Sequence, residues 1–239
     1  MNALEIKNLS KSFDGFALQN VSLTLPMGSA LGLIGENGAG KSTTISLLLG
    51  QLRRDGGEIF LLEQSAGENS AAIREDIGVV FDESCFPDGL NARQVDKVER
   101  CIYKNWDSGA YFEHIRRFDL PETKPFKTYS RGMKMKLTLA VALSHKAKLL
   151  LLDEATGGLD PLARDELIGE LAAFVADGEH AILLSSHIVS DIEKLCDRVA
   201  FLHRGKLILS EEKEALLAAH PGKTLEEIIL DITRREREK

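Results

Sequence analysis

The stretch GENGAGKSTT, residues 35–44, places three glycines directly before a lysine and three hydroxyl side chains. Such a loop loses much backbone entropy on folding and adds no side-chain packing, so its composition needs a chemical reason. The apolar segment ALGLI precedes the loop and leucines at helical spacing follow it, which predicts a strand, a loop and a helix. Backbone N–H groups of such a loop, with the positive end of the helix, form an anion site.

Residues 35–42 match the pattern G-x-x-x-x-G-K-[ST] at every fixed position, in the strand, loop and helix setting that it requires. Lys41 is expected to contact the β- and γ-phosphates of a nucleotide, Ser42 to bind Mg²⁺, and Thr43 to bond near the α-phosphate. The loop residues expected to surround the phosphates are Gly35, Asn37, Gly38, Ala39 and Gly40.

A second candidate group is the pair of carboxylates that ends the apolar run LLLLD, Asp153 and Glu154. A buried strand delivers such a pair to the carboxyl edge of a parallel sheet, where the phosphate loop also lies. We expect Asp153 to hold Mg²⁺, directly or through water, and Glu154 to orient the water that attacks the γ-phosphate. The alternative is an acidic helix cap, which the phosphate loop in the same chain disfavours.

Length and composition narrow the class of protein. The chain has 239 residues, 44% of them hydrophobic, and a formal charge of -7, which argues against a broad nucleic-acid-binding surface. No stretch approaches the roughly 20 apolar residues that a membrane span needs, and the N-terminus has no apolar signal core. These features predict a protein that stays in the cytoplasm and does not bind nucleic acid.

The elements around these residues predict an α/β fold with a mainly parallel sheet. The first 30 residues alternate as an antiparallel β lobe with a turn at Asp14-Gly15, and strands alternate with helices after residue 149. Thr224 and Glu227 have the spacing of a capping box at the start of a final helix. Residues 85–128 carry most of the aromatic side chains among helix-compatible residues, as a small core of their own or in part as an exposed docking face. We expect one domain over 1–220, a helical subdomain at about 84–145 and a C-terminal helical extension over 221–239.

The order of these motifs resembles that of the ATP-binding cassette (ABC) ATPases over nearly the whole chain. That family has an aromatic loop, a phosphate loop, a Q-loop, a signature, an acidic strand, a D-loop and a switch histidine. The matching segments here are Phe13, 35–43, 81–83, YSRGM (129–133), 149–154, GGLD (157–160) and His187. The resemblance implies a P-loop NTPase fold of the ABC ATPase type and hydrolysis of ATP with Mg²⁺.

The resemblance also implies roles for residues that no single motif settles. Phe13 would stack on adenine, although a phenylalanine in the core of the β lobe is the alternative. Ser130 and Gly132, at the start of their own helix, would grip the γ-phosphate held by another subunit. His187 would hydrogen-bond that phosphate and act with Lys41 and Glu154 in catalysis. Asp160, in the D-loop, belongs to the same nucleotide site.

A site divided between a phosphate loop and a signature on another chain implies a homodimer or heterodimer of ATPase subunits. ATP then joins the subunits and its hydrolysis separates them. Because the chain lacks a predicted membrane span, the family resemblance implies a separate integral membrane permease. The protein would then be peripheral on the inner face of the cell membrane.

Four positions in three motifs depart from the usual family pattern. Asp82 stands where the Q-loop has glutamine, Arg131 and Met133 replace glycine and glutamine in the signature, and Ala155 replaces proline. A carboxylate at Asp82 could bind Mg²⁺, since hard charged oxygens suit that ion. The alternative is that Asp82 points away from the site and Glu83 or no residue takes its role. The signature form and the single cassette resemble exporters of peptides, antibiotics or other amphipathic compounds whose permease is a separate chain.

Two other functions stay open at this stage. A soluble ABC ATPase could act on ribosomes or nucleic acid, although the paired cassettes and long coiled coils typical of such proteins are not found in the sequence. A binding module with inactive chemistry is the other alternative, and the presence of Lys41, Glu154 and His187 disfavours it.

Overall fold

The computed structural model describes residues 1–66, 71–81 and 86–237, so Asp82 and Glu83 lie outside the described residues. The strands within these ranges are β1 Asn2–Phe13, β2 Phe16–Pro26, β3 Ala30–Ile34, β4 Gly56–Leu61, β5 Gln64–Ser65, β6 Ile77–Phe81, β7 Leu149–Asp153, β8 Ala181–Ser186, β9 Arg198–His203 and β10 Lys206–Glu212. The α-helices are α1 Lys41–Leu48, α2 Ala71–Glu75, α3 Ala92–Ile102, α4 Ser108–Arg117, α5 Arg131–Ser144, α6 Pro161–Val175, α7 Val189–Leu195, α8 Lys213–Ala219 and α9 Leu225–Arg237.

The strands are hydrogen-bonded in the order β5-β4-β1-β2-β10-β9-β3-β8-β7-β6. Strands β9, β3, β8, β7 and β6 pair in parallel, whereas β1, β2, β4 and β5 pair antiparallel. The predicted α/β fold, with an antiparallel β lobe beside a mainly parallel sheet, is therefore confirmed. The turn between β1 and β2 falls at Asp14-Gly15, as predicted, where Gly15 has φ 82°.

The central strands are buried on both faces, which explains their uninterrupted apolar sequences. Alternate leucines of β7 point to opposite sides: Leu150 and Leu152 join one core cluster, and Leu149 and Leu151 join the other. A parallel sheet of this kind must be covered on both faces, so the carboxyl edge is the part of it left open to a ligand.

The register of the parallel strands aligns their carboxyl ends. Ile34 of β3 pairs with Ser186 of β8, and Asp153 of β7 pairs with Ser185 of β8 and Phe81 of β6. The carboxyl ends of β3, β6, β7 and β8 therefore lie at one edge of the sheet, and the sequence motifs follow these ends in the chain. These motifs are the predicted phosphate loop, Q-loop, acidic pair and switch histidine.

Helices α3, α4 and α5 form a helical part on one side of the sheet. Tyr111 and Phe126 are fully buried there, and Phe86, Trp106 and Phe112 pack against the same core cluster. Aromatic side chains thus build the core of this part, the first of the two roles considered for them.

The second half of the chain follows the predicted alternation of strands and helices. Helix α9 begins with the predicted capping box, in which the Thr224 N–H donates to Glu227 and the Glu227 N–H donates to the Thr224 hydroxyl. The sequence did not predict α2 and α8, which have five and seven residues. Such short helices carry too few turns for a hydrophobic period to show, and tertiary packing decides them.

Candidate functional site

The phosphate loop joins β3 to α1 in the predicted strand, loop and helix order. Gly40 is the N-cap of α1, with φ 111°, and no side chain caps the first turn. No acidic residue lies in that turn. The N–H groups at the start of α1 are therefore left for an anion, and only glycine reaches the backbone angle of Gly40 without strain.

The turn between β9 and β10, and the end of β9 itself, contact the backbone of this loop. The Gly205 N–H donates to the Ala39 carbonyl at 3.0 Å. A Cβ placed on Gly35 would lie 2.6 Å from the Leu202 carbonyl oxygen, so only glycine allows this approach. No motif in the sequence marks a residue of this turn as part of the site. The sequence shows only a glycine, Gly205, between two predicted strands. Such a glycine indicates a turn but does not indicate which part of the chain the turn contacts.

Three predicted catalytic side chains meet at the mouth of the loop. The Lys41 ammonium, which is 5% exposed, donates to the Gly35 carbonyl at 2.7 Å and lies 3.0 Å from Oε1 of Glu154. Oε2 of Glu154 lies 2.7 Å from Nδ1 of His187. The structure thus joins Lys41, Glu154 and His187, which follow three different strands, through one ion pair and one hydrogen bond.

The backbone of Glu154 has the left-handed angle φ 52°, which is unusual for a residue other than glycine. The Glu154 N–H donates to the Ser185 carbonyl of β8 at 3.0 Å and its own carbonyl accepts from the Gly157 N–H at 3.0 Å. These two bonds hold the turn that follows β7. Strained backbone of this kind persists where surrounding contacts over-determine it, as is common at functional sites.

Hard oxygen ligands for a divalent cation lie beside this group. Ser185 donates its hydroxyl to Oδ1 of Asp153 at 2.6 Å, which orients the carboxylate. Ser42 is exposed at the first turn of α1 and lines the same cavity as Glu154. Within the described residues no group of three or more His, Cys, Asp or Glu side chains could hold a metal alone. One carboxylate and one hydroxyl fit Mg²⁺, which usually completes its shell with phosphate and water.

The cavity in front of the loop has a volume of about 420 Å³. It is lined by Phe16, Glu36, Asn37, Gly38, Gly40, Lys41, Ser42, Thr43 and Glu154. Phe13, the predicted adenine-stacking residue, is 42% exposed on the adjacent hairpin, and its ring centroid lies 6.3 Å from that of Phe16. Phe16 was not predicted as a site residue, because in the sequence it has only the pattern of a residue in β2.

The signature segment does not reach this cavity within one chain. Ser130 is the N-cap of α5 and its hydroxyl accepts from the Met133 N–H at 3.2 Å. A hydroxyl accepting one bond keeps its own proton for a second partner. Gly132 faces α6, where a Cβ on it would lie 3.4 Å from Cβ of Ala163. Ser130 and Gly132 are thus exposed or half-buried at a helix start and stand apart from the phosphate loop.

Asp160 has a structural contact within the chain. It is the N-cap of α6, and Oδ1 accepts from the N–H groups of Leu162 at 3.1 Å and Ala163 at 3.0 Å. Pro161 follows at the first helical position. The predicted nucleotide contact of Asp160 stays a prediction.

Across the described ranges, we find no helix with the length and apolar character required to cross a bilayer. The predicted Q-loop residue Asp82 falls outside those ranges, so its position relative to Asp153 stays a prediction.

Comparison with known proteins places this site in a family. The family described as ABC transporter matches residues 18–157. The ABC transporter ATP-binding protein YtrB of Bacillus subtilis (strain 168) is 33% identical over 205 residues, which cover 85% of this chain and 70% of YtrB. The lantibiotic transport ATP-binding protein SrtF of Streptococcus pyogenes is 35% identical over 212 residues, covering 87% of this chain and 90% of SrtF.

A solved structure, described as the ATP binding subunit of an ABC transporter, superposes with a TM-score of 0.87 at 25% identity, covering 97% of this chain and 99% of that one. The family match covers the phosphate loop and the acidic strand, and β8 and His187 lie beyond its last residue. The chain therefore belongs to the ABC transporter family, as an ATP-binding subunit with ATPase activity.

Proposed function

We propose that two subunits bind two ATP molecules with Mg²⁺ at sites shared between them, and that hydrolysis powers export by a separate membrane permease. The observation that carries this proposal is that the phosphate-loop residues and the signature residues of one chain lie apart. Lys41, Glu154 and His187 line or adjoin the phosphate-loop cavity, whereas Ser130 and Gly132 lie outside it. ABC ATPases dimerise and pair with permease subunits, which supports a second chain as the source of the missing signature.

Each side chain then has a defined task. The uncapped N–H groups of α1 and the Lys41 ammonium bind the β- and γ-phosphates, and Lys41 exchanges its contact with Glu154 for a phosphate oxygen. Ser42, Asp153 and Asp82 would hold Mg²⁺, which neutralises charge on the phosphates. Phe13 is proposed to stack on adenine, beside Phe16 at the edge of the cavity.

Hydrolysis follows from the position of Glu154. Its carboxylate accepts a hydrogen bond from a water molecule and directs the water oxygen at the γ-phosphorus. A bond forms between that oxygen and phosphorus, and the bond from phosphorus to the bridging oxygen of ADP breaks. The products are ADP, inorganic phosphate and a proton. His187, held by Glu154, would bond the γ-phosphate and lose that partner when phosphate leaves.

Complementation between subunits tests the shared site. One chain would carry Ser130→Arg and Glu154→Gln, so that it keeps a phosphate loop but has a blocked signature and does not hydrolyse ATP. The other would carry Lys41→Ala and keep its signature. Neither chain alone should form an ATP-dependent dimer, and the mixture should form a heterodimer with one trapped ATP, measured by light scattering after size exclusion.

The matched control replaces the second chain by one that carries both Lys41→Ala and Ser130→Arg, which should form no dimer. If the first chain traps ATP equally well alone, the signature of a second chain is not needed and the proposal fails. Ser130→Arg should leave ATP binding to the monomer close to parental, because Ser130 makes no contact with the phosphate loop of its own chain.

The transported class is proposed from the relatives. SrtF is described as a lantibiotic transport protein, which favours a peptide or other amphipathic compound as substrate. The protein is proposed to lie at the inner face of the membrane, bound to its permease. Cell fractionation with and without a co-expressed permease tests this: the chain should enter the membrane fraction only with the permease. Sedimentation with ribosomes in both cases would contradict transport.

A further inference from the structure

Arg131, one of the departures from the usual signature, lies on the D-loop of its own chain. A Cβ placed on Gly158 would be 2.7 Å from Nη1 of Arg131 and 2.9 Å from Cζ, and one on Gly157 would be 4.0 Å from Nη2. The guanidinium thus covers the glycine backbone directly. Gly158 also has φ +65°, so neither its conformation nor the space around it favours a side chain.

The helices that follow these two segments are joined along their length. Gly132 permits close approach of α5 to Ala163 of α6. Lys136 of α5 forms an ion pair with Glu166 of α6. Further along α6, Glu170 lies 2.6 Å from Arg117 of α4. The signature helix and the D-loop helix therefore share two contacts, at Gly132 and at Lys136, besides the contact of Arg131 with Gly158 in the D-loop.

The D-loop has little internal support. Its described backbone bonds are Gly157 N–H to the Glu154 carbonyl at 3.0 Å and Leu159 N–H to the Thr156 carbonyl at 3.5 Å, the second at the limit of a hydrogen bond. Among the described residues the Thr156 hydroxyl is buried and has no hydrogen-bond partner. A loop with such contacts depends on neighbouring elements for its position.

A second arginine holds the opposite end of the D-loop. Nη2 of Arg164 donates to the Leu159 carbonyl at 3.3 Å. Nε of the same side chain lies 4.0 Å from Oδ2 of Asp191 in α7, the helix that follows His187. The D-loop thus lies between the signature helix, reached through Arg131, and the switch-histidine helix, reached through Arg164.

We propose that Arg131 is a positioning residue that couples the signature to the D-loop and, through Gly157, to the backbone of Glu154. The inference rests on the proposed shared site, in which the signature of each chain meets the nucleotide of the other. When the signature binds the γ-phosphate held by the other chain, its movement would then shift the D-loop and the catalytic glutamate of its own chain. Arginine suits this task because its planar group can lie flat on glycine backbone, which a lysine ammonium cannot do.

Amide hydrogen exchange tests the contact in the nucleotide-free chain. Arg131→Ala should speed exchange at residues 157–159 by about 10-fold, the size of a typical coupling between neighbouring groups. Arg93→Ala, which removes another exposed arginine paired with Glu122, should leave those amides unchanged. Equal exchange in the parent and Arg131→Ala would overturn the proposal.

Kinetics separate positioning from a direct charge effect on phosphate. We expect Arg131→Ala to lower kcat about 5- to 20-fold, with ATP affinity of the monomer within about twofold of parental. Arg131→Lys should show a similar loss. Full parental activity in Arg131→Lys would mean that charge alone matters, and it would overturn the positioning role.

A double-mutant cycle places the effect at Gly158. Gly158→Ala should displace the guanidinium and lower kcat as Arg131→Ala does, and the double variant should lose no more than the larger single loss. Gly222→Ala controls for backbone strain, since Gly222 has φ +81° and open space around it. Fully additive losses would overturn the coupling. Failure of the parent to hydrolyse ATP would refute the proposed function instead, whereas the exchange experiment needs neither ATP nor a dimer.

Discussion

The Glu154 carboxylate joins His187 to Lys41: Oε2 lies 2.7 Å from Nδ1 of the histidine and Oε1 lies 3.0 Å from the lysine ammonium. A single carboxylate thus contacts both the phosphate-binding lysine and the proposed phosphate sensor. Any group that draws Lys41 away frees one oxygen of Glu154 for water while His187 still orients the other. This relationship leads to distinct expectations for changes at Glu154 and His187.

Glu154→Gln should lower ATP hydrolysis by at least about 10²-fold and trap an ATP-bound dimer, because the amide is neutral and accepts a proton poorly. The Lys41 contacts with the loop stay in place, so ATP binding should persist. Size exclusion with ATP and Mg²⁺, beside a phosphate-release assay, measures both effects. Turnover near the parental rate would show that another group activates the water.

His187→Ala should lower the single-turnover rate of phosphate release about 10²-fold, since Glu154 loses the partner that orients Oε2. ATP affinity should change only a few-fold, because the loop and Lys41 are untouched. His180→Ala is the matched control: His180 lies 2.6 Å from Asp177 and directly precedes β8, whereas His187 follows the opposite end of that strand. Equal rates for both variants would remove His187 from the catalytic group.

Gly205→Ala should destabilise the chain and weaken ATP binding together. A Cβ there would lie 1.8 Å from the Ala17 carbonyl oxygen, and the residue has φ +77°, so the turn must shift. We expect a loss of about 2–4 kcal/mol in the free energy of unfolding. Because the Gly205 N–H donates to the carbonyl of Ala39 in the phosphate loop, a shift of the turn should also lower ATP affinity. Denaturation and ATP titration measure the two effects. Gly222→Ala, at another positive φ but with open space around it, should show only the smaller cost of backbone strain and no loss of ATP affinity.

Glu99→Gln should stabilise the protein at neutral pH. Glu99 is 7% exposed, and burial raises the pKa of its carboxyl above the usual 4.5. Between the usual pKa of glutamate and the raised pKa in the folded protein, the folded state binds more protons than the unfolded state. The free energy of unfolding therefore falls as the pH rises through this range. Glutamine does not titrate, so its advantage should be on the order of 1 kcal/mol at pH 7 and vanish at low pH.

Urea unfolding of both proteins at pH 7 and below the usual pKa of glutamate measures this difference. Glu226→Gln, at an exposed position of α9, should change stability little at either pH. An advantage of Glu99→Gln that is the same at both pH values would contradict an origin in the buried charge.

Asp82→Asn tests the predicted Q-loop carboxylate. If Asp82 lies at the nucleotide site, its charge should repel the γ-phosphate without metal and help to bind Mg²⁺. The substitution should then tighten ATP binding in chelator and reduce the benefit of Mg²⁺. Titration of ATP against both proteins in both conditions is the measurement. Unchanged affinities throughout would place Asp82 outside the site.

The sequence alone predicted the features that a short stretch of chain encodes. Loop 35–40, Glu154 and His187 each follow an apolar strand, and parallel strands bring their carboxyl ends to one edge. Local pattern therefore predicted which segments meet. The predicted start of α5 at Ser130 and the capping box at Thr224 are likewise confirmed, because a cap and its partner lie within one helical turn.

Only the tertiary structure decided how side chains from those segments touch. The strand order places β9 beside β3, which lets Gly205 support a loop more than 160 residues earlier in the chain. The left-handed backbone of Glu154 and the contact of Arg131 with Gly158 depend on neighbouring strands and helices. Hydrophobic period and turn composition carry no information about such pairs, because each contact depends on how elements distant in sequence pack together.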